Sequence, residues 1–250
     1  IGAPLYDDTG ADEGRAFVYY GNAAGLSTTA SVILDEANQG GANFAFSVAG
    51  AGDVNGDGYS DVIVGSWLYN GIGRSYVYFG SAGGLSTTSN QQLNGTQGGE
   101  GFGVAVSSAG DVNKDGYSDV IIGSYAYDVA GQPNEGRAYV YHGSSSGLIT
   151  TPATILNDAG QAAANFGRFV STAGDINGDG YSDLIIGSPG YDDGTNTDEG
   201  AVFVYFGSCS GVSIIADQVL KDANEINATF GWVSEAGDLN SDGFSDIVVG

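Results

Sequence analysis

Short apolar runs separated by glycine-rich polar stretches fill this chain, and the runs fall into a repeating order. Segments such as Asp61-Val-Ile-Val-Gly65 and Asp183-Leu-Ile-Ile-Gly187 are apolar on both faces, as expected of strands packed between two neighbouring layers. A second set alternates Tyr or Phe with Val, at 16–20, 76–79, 138–142 and 202–206, the period of a strand with two unlike faces. Weaker strands are expected near 31–34 and 154–156. A further strand is expected after each aromatic anchor, at Phe44, Phe102, Phe166 and Phe230. No stretch carries a convincing helical period. The expected unit is therefore a four-stranded antiparallel sheet.

Between the first and second strand of each unit lies an acidic loop. Asp53-Val-Asn55-Gly-Asp57-Gly-Tyr-Ser-Asp61 has three near-copies, opening at Asp111, Asp175 and Asp238. The copies stand about sixty residues apart, which suits four strands plus turns. Four-stranded antiparallel units in tandem point to a β-propeller before a sandwich. The chain reads as one domain over 1–250, or part of one. Ile1-Gly2-Ala3-Pro4 matches Ile186-Gly187-Ser188-Pro189, the end of a second strand, and Val249-Gly250 closes the chain at the same point. Four repeat units are thus cut in mid-sheet. The two half-units are expected to pair and close a ring, in one chain or between two, or else the chain is a piece of a longer propeller.

Side-chain oxygens fall at positions 1, 3, 5 and 9 of every loop: Asp53, Asn55, Asp57, Asp61; Asp111, Asn113, Asp115, Asp119; Asp175, Asn177, Asp179, Asp183; Asp238, Asn240, Asp242, Asp246. Such a set suits a hard cation that takes six to eight oxygens, Ca²⁺ above all. The backbone carbonyls at position 7 (Tyr59, Tyr117, Tyr181, Phe244) and water would complete the shell, giving about four ions per chain. Glycine at position 6 (Gly58, Gly116, Gly180, Gly243) allows the sharp turn. No soft ligands are present to favour zinc or copper. An EF-hand needs an acid at position 12, where this chain has Val64, Ile122, Ile186 and Val249. The plainer alternative is a polar turn, since Asp, Asn and Gly favour turns anyway. Four copies in register argue against it.

The loops, together with Phe102-Gly103, Phe166-Gly167 and Phe230-Gly231 and with Gly2-Ala3-Pro4 and Gly187-Ser188-Pro189, resemble the FG-GAP repeats of integrin α-subunit propellers. Phe44-Ala45, Gly65-Ser66-Trp67 and Gly123-Ser124-Tyr125 depart from the pattern. The near-identity of the repeats is similar to that in bacterial surface proteins of this type. The resemblance implies an all-β propeller of four-stranded blades with calcium in the acidic loops. It also implies a ligand on the opposite face, and usually seven blades rather than four units.

Composition narrows the function. Thirty acidic and six basic residues give a formal charge of −24, which argues against nucleic acid and against an anionic membrane. Fifteen Tyr and eleven Phe supply a core that a disordered acidic chain would lack. No apolar run approaches the roughly 20 residues of a membrane helix. Residue 1 is Ile, so the chain reads as processed or excised from something longer. The face opposite the calcium loops is expected to carry Asp7, Asp8, Asp12, Glu13, Asp35, Glu36, Asp128, Glu135, Asp192, Asp193, Asp198 and Glu199. Tyr6, Trp67, Tyr69, Tyr125, Tyr127 and Tyr191 are expected nearby. Aromatics beside carboxylates suit a sugar or a cationic protein loop, while solvated loops with Tyr plugging gaps explain the same residues.

A catalytic constellation is hard to assemble. His142, the one histidine, aligns with Tyr20, Phe79 and Phe206, and Cys209, the one cysteine, lies in a turn. Paired surface carboxylates keep a hydrolase open as a third reading. Asn94-Gly-Thr96 and Asn227-Ala-Thr229 fit the glycosylation pattern. The expected protein is a non-enzymatic, extracellular calcium-binding recognition or adhesion module with a protein or carbohydrate ligand. The alternative is a structural scaffold belonging to a larger surface protein or secreted enzyme.

Overall fold

The computed structural model describes residues 1–250 apart from 8, 9, 37, 38, 158, 195, 196 and 222–224. Among the described residues there are β-strands and one 3₁₀ turn, Tyr69–Gly71. Three complete sheets have four antiparallel strands in sequence order. Sheet 2 holds Ser47–Gly52, Asp61–Ser66, Arg74–Tyr78 and Gln91–Asn94. Sheet 3 holds Phe102–Gly110, Asp119–Ser124, Arg137–Tyr141 and Thr154–Leu156. Sheet 4 holds Phe169–Gly174, Asp183–Ser188, Ala201–Tyr205 and Gln218–Leu220. Sheet 1 is formed by Gly2–Ala3, Arg15–Val18 and Val32–Leu34, and sheet 5 by Val233–Gly237 and Asp246–Val249. The half-units at the two ends thus stand as separate sheets here, each with its own ladder. A two-strand hairpin, Gly21–Asn22 with Gly25–Leu26, lies apart.

The third strands begin and end one or two residues earlier than their apolar alternation suggests. Beyond the ladder, side chains take over the backbone donors: Phe79 N–H goes to Asn90 Oδ1 and Phe206 N–H to Asp217 Oδ2. The strand therefore stops while its apolar pattern continues.

The core lies between sheets, not inside one. Ile63 of sheet 2 packs with Phe102, Val120, Ile122, Tyr139 and Tyr141 of sheet 3. Ile121 points the other way, to Phe166, Leu184, Ile186 and Phe203 of sheet 4. Successive residues on a strand face opposite sides, so one apolar run serves two interfaces. The Phe anchors sit edge-on to third-strand rings: Phe44 on Tyr76 at 5.2 Å, Phe102 on Tyr139 at 5.5 Å and Phe166 on Phe203 at 5.2 Å, an arrangement favoured by the ring quadrupole.

Glycine sets the spacing of the sheets. A Cβ at Gly65 would lie 2.0 Å from the Gly103 carbonyl oxygen, one at Gly123 1.9 Å from Gly167 O, and one at Gly187 1.8 Å from Gly231 O. The second-strand glycine and the glycine after Phe thus meet backbone to backbone. Gly103 and Gly167 also adopt φ of 85° and 80°. Beside each contact a buried serine ties the second strand to the segment leading into the first strand of its own unit: Ser66 Oγ donates to Ala42 O, Ser124 Oγ to Glu100 O and Ser188 Oγ to Ala164 O. The glycine of each Gly-Ser pair therefore makes the contact between sheets, and the serine braces its own unit. Where the pattern departs at Ala45, the residue is held at φ 62°, a conformation that costs a side-chain-bearing residue about 1–2 kcal/mol.

Gly123→Ala should destabilise the chain by at least the upper part of the ~1–3 kcal/mol range of overpacking, because the clashing partner is backbone. Gly98→Ala, at a position with open space around it, should be close to neutral. Urea unfolding of both variants checks the contrast.

Candidate functional site

Each first strand ends in a bulge. The ladder slips between Gly50 and Gly52, Ser108 and Gly110, Thr172 and Gly174, and Glu235 and Gly237. The last glycine of each pair has φ between 67° and 74°. A bulge bends its strand and re-aims the next side chain, and the next residue is position 1 of the acidic loop.

Inside the loops the carboxylates gather backbone N–H groups. Asp53 Oδ1 accepts from Gly56 at 2.7 Å and from Asp57 at 3.1 Å, and Oδ2 accepts from Gly58 at 2.8 Å. Asn55 Oδ1 accepts from Asp57 N, Asn55 Nδ2 donates to Asp57 Oδ2, and Asp57 Oδ1 accepts from Tyr59 N. The loops at Asp111, Asp175 and Asp238 repeat the bonds from positions 5 and 6 at nearly the same distances, and Gly178 repeats the bond of Gly56. All four sequence-predicted sets are thus brought together as compact loops of one design.

The position-9 carboxylates are the buried members. Asp61, Asp119 and Asp183 have no more than 1% exposure. Each bridges two segments, as Asp119 does by accepting Val112 N at 2.9 Å and Gly143 N at 2.9 Å. Asp61 takes Val54 N and Gly80 N, and Asp183 takes Ile176 N and Gly207 N. In sheet 5, Asp246 takes Leu239 N. Burial pushes the Asp119 carboxyl up to about 7, against the pull of its two N–H donors, with the charges of Asp115 and Asp111 adding to the rise. Asp61 and Asp183 are raised by the same causes.

Residues not singled out in the sequence tie one loop to the next. Asp53 N–H donates to Ser118 Oγ while Ser118 N–H donates back to Asp53 O. Asp111 and Ser182, and Asp175 and Ser245, repeat the exchange. The signal was present as an invariant serine at position 8 of every copy. Tyr117 covers Gly56, and Phe244 covers Gly178.

Carboxylate oxygens have about four lone-pair sites, and the N–H donors above fill only part of them. The donor set is hard oxygen throughout. Among the described residues no three His, Cys, Asp or Glu side chains stand grouped as a ready metal centre. No basic side chain among them forms an ion pair with the buried aspartates. All six Lys and Arg residues lie over aromatic rings instead, among them Arg15 on Tyr6 at 4.3 Å, Arg74 on Tyr69 at 4.1 Å, Arg137 on Tyr127 at 3.8 Å and Lys114 on Tyr181 at 5.3 Å.

The opposite face differs from its sequence expectation. Glu13, Glu135 and Glu199 are buried, not displayed. Glu135 Oε1 accepts from Gly160 N, and Glu36 receives Ser89 N–H and the Tyr78 hydroxyl. Asp7, Asp128 and Asp192 take the N–H of Asp12, Asn134 and Asp198, and Asp35 pairs with Arg15. Asp8 lies outside the described residues. Tyr6, Tyr69, Tyr127 and Tyr191 are covered by Arg15, Arg74, Arg137 and Lys221. What remains as aromatic surface is Phe46, Trp67, Tyr125, Phe169 and Trp232, grouped around Arg168. His142 sits in its aromatic slot with Nδ1 3.3 Å from Asn113 Nδ2, and burial lowers its basicity against the charges of Asp115 and Asp111. Cys209 is exposed.

The sequence model of the FG-GAP repeat matches residues 44–78, 102–141 and 166–205. Phosphatidylinositol-glycan-specific phospholipase D of Homo sapiens is 34% identical over 154 residues, which is 60% of this chain and 18% of that protein. Integrin alpha-6 of Gallus gallus is 35% identical over 151 residues, 58% of this chain and 13% of its own length. Integrin alpha-7 of Rattus norvegicus is 33% identical over 150 residues, 58% and 12% respectively. The chain spans less than a fifth of each of these relatives.

A pH prediction follows from Asp119. Its folded pKa lies above the unfolded value near 4, so the folded state binds its proton more tightly and stability falls as pH rises between the two values. In chelator, the melting temperature should drop from pH 5 to pH 7.5. Asp119→Asn should flatten that slope, and differential scanning fluorimetry across pH measures it.

Proposed function

We propose that this FG-GAP repeat protein is a calcium-stiffened, non-enzymatic recognition module working outside the cell. Four acidic loops each take one Ca²⁺, and a protein or carbohydrate is recognised on the face away from them. One observation carries the calcium reading: a buried carboxylate at position 9, two further carboxylates close enough to raise its pKa, and no basic side chain turned toward it. Three acids in one short loop, one of them buried, repel one another without a positive charge, and a hard cation is the partner their oxygens fit. Asp53, Asn55, Asp57 and Asp61 with the Tyr59 carbonyl would hold the ion in loop 1, and their counterparts would do so in the other loops. The cation's role there is structural, because it would clamp first strand, second strand and third-strand turn together.

Location follows from affinity. Loops this exposed, at positions 3 to 6, suit the weak sites of extracellular modules, which fill at millimolar calcium. The integrin relatives, similar over 58% of this chain, favour a recognition role. The phospholipase D relative is an enzyme by name, so the repeats occur beside catalysis as well. That supports a second reading, a non-catalytic scaffold within a larger surface protein or secreted enzyme. Against catalysis in this chain stand the engagement of His142 with Asn113 and of the loop acids with backbone N–H groups. The exposed rings of Phe46 and Trp232 favour that side of the molecule for ligand contact, since aromatic surface dominates recognition energetics.

Calcium that binds only the folded chain adds about 2.7 kcal/mol per site at a hundredfold excess over Kd. For a chain of this size each kcal/mol raises the melting temperature by about 2–4 °C. Scanning calorimetry in millimolar calcium should therefore show a rise of well over 5 °C against chelator, and magnesium should give much less. Identical curves would remove the calcium reading.

A further inference from the structure

Two of the four acidic loops place glycine directly after the position-3 asparagine, as Asn55-Gly56 and Asn177-Gly178, while the others have Asn113-Lys114 and Asn240-Ser241. The asparagine side chain is held alike in all four loops. In each, the asparagine Nδ2 donates to the position-5 carboxylate and Oδ1 accepts that residue's N–H. Position 4 is left-handed in all four, with φ of 71°, 59°, 76° and 61°. What differs is the shielding of the position-4 nitrogen. Without a Cβ, glycine leaves that nitrogen open to the asparagine side-chain carbonyl carbon.

In the folded loops the open nitrogen is guarded. Gly56 N–H donates to Asp53 Oδ1 at 2.7 Å, and Gly178 N–H to Asp175 Oδ1 at 2.7 Å. A proton shared with a carboxylate is hard to lose. The asparagine amide, meanwhile, is pinned to the nitrogen one residue further on. Two of the chain's Asn-Gly pairs thus sit inside hydrogen-bonded turns.

We propose that Asn55 and Asn177 are deamidation sites whose reaction is gated by opening of their loops. The Gly56 nitrogen, having lost its proton to water, attacks Asn55 Cγ. The N–Cγ bond forms, the Cγ–Nδ2 bond breaks, and ammonia leaves with that proton. Water then opens the five-membered ring. Hydrolysis of the new N–Cγ bond gives aspartate, and hydrolysis at the former backbone carbonyl gives isoaspartate. The balance is water in and ammonia out. Aspartate at position 3 gives the loop a fourth carboxylate. Isoaspartate routes the backbone through the side chain, adds a methylene between Asp53 and Asp57, and takes the loop's donors out of register. Loops 1 and 3 age chemically in a way that loops 2 and 4 do not.

The full chain, incubated at mildly alkaline pH and mapped by peptide mass spectrometry that separates aspartate from isoaspartate, tests this. In chelator, Asn55 and Asn177 should convert several-fold faster than Asn113 and Asn240. Asp53→Asn, which weakens the brace on Gly56, should speed Asn55 and leave Asn177 unchanged. Equal rates at the four loop asparagines, or no acceleration in Asp53→Asn, would overturn the proposal. The calcium arm rests on the preceding reading: calcium should slow Asn55 and Asn177 but not the exposed Asn70-Gly71, which lies outside the loops. Rates indifferent to calcium, with the ranking intact, would contradict the calcium reading and support the gating.

Discussion

A carboxylate buried at the start of each second strand is the constraint around which the repeat is built. Asp61, Asp119 and Asp183 have almost no contact with solvent, yet each joins the acidic loop to the turn after the third strand through two backbone N–H groups. A buried ionised group is costly unless it is hydrogen-bonded and paired. Here the bonds are provided and the counter-charge is not. The architecture of the loop, from the bulge before position 1 to the serine at position 8, holds that unpaired charge beside two others.

The same economy governs the rest of the molecule. The sheets approach until glycine meets carbonyl, so that neighbouring units share one apolar interface, and the loops are bonded in series through Ser118, Ser182 and Ser245. With only six basic residues, the chain uses every one as a cap over an aromatic ring. None is left to neutralise a loop. A charge of −24 is tolerable when much of it is concentrated at points that an external cation can serve.

The units and their strand order were legible in the sequence because apolar runs and acidic loops recur with nearly constant spacing. The two-sided burial of runs such as Asp61–Ser66 could be read from their unbroken apolar character. The fate of the other acids could not. Glu13, Glu135 and Glu199 look like surface charges, and only the fold shows them buried, Glu135 taking the Gly160 N–H. Tyr6, Tyr69, Tyr127 and Tyr191 look like free platforms, and their cations arrive from the third strand or, for Tyr191, from just after the fourth. Both errors concern contacts between one element and another, which a local pattern does not encode. The serine at position 8 was visible but silent, because its partner lies in the next repeat.

Counting the ions held by the folded chain tests the central claim most directly. Native mass spectrometry of the chain dialysed against millimolar calcium should find about four calcium ions per chain, and one fewer in a chain carrying Asp111→Asn together with Asp115→Asn. A chain that retains no calcium under those conditions would contradict the account, leaving the acidic loops as turns closed by their own backbone hydrogen bonds.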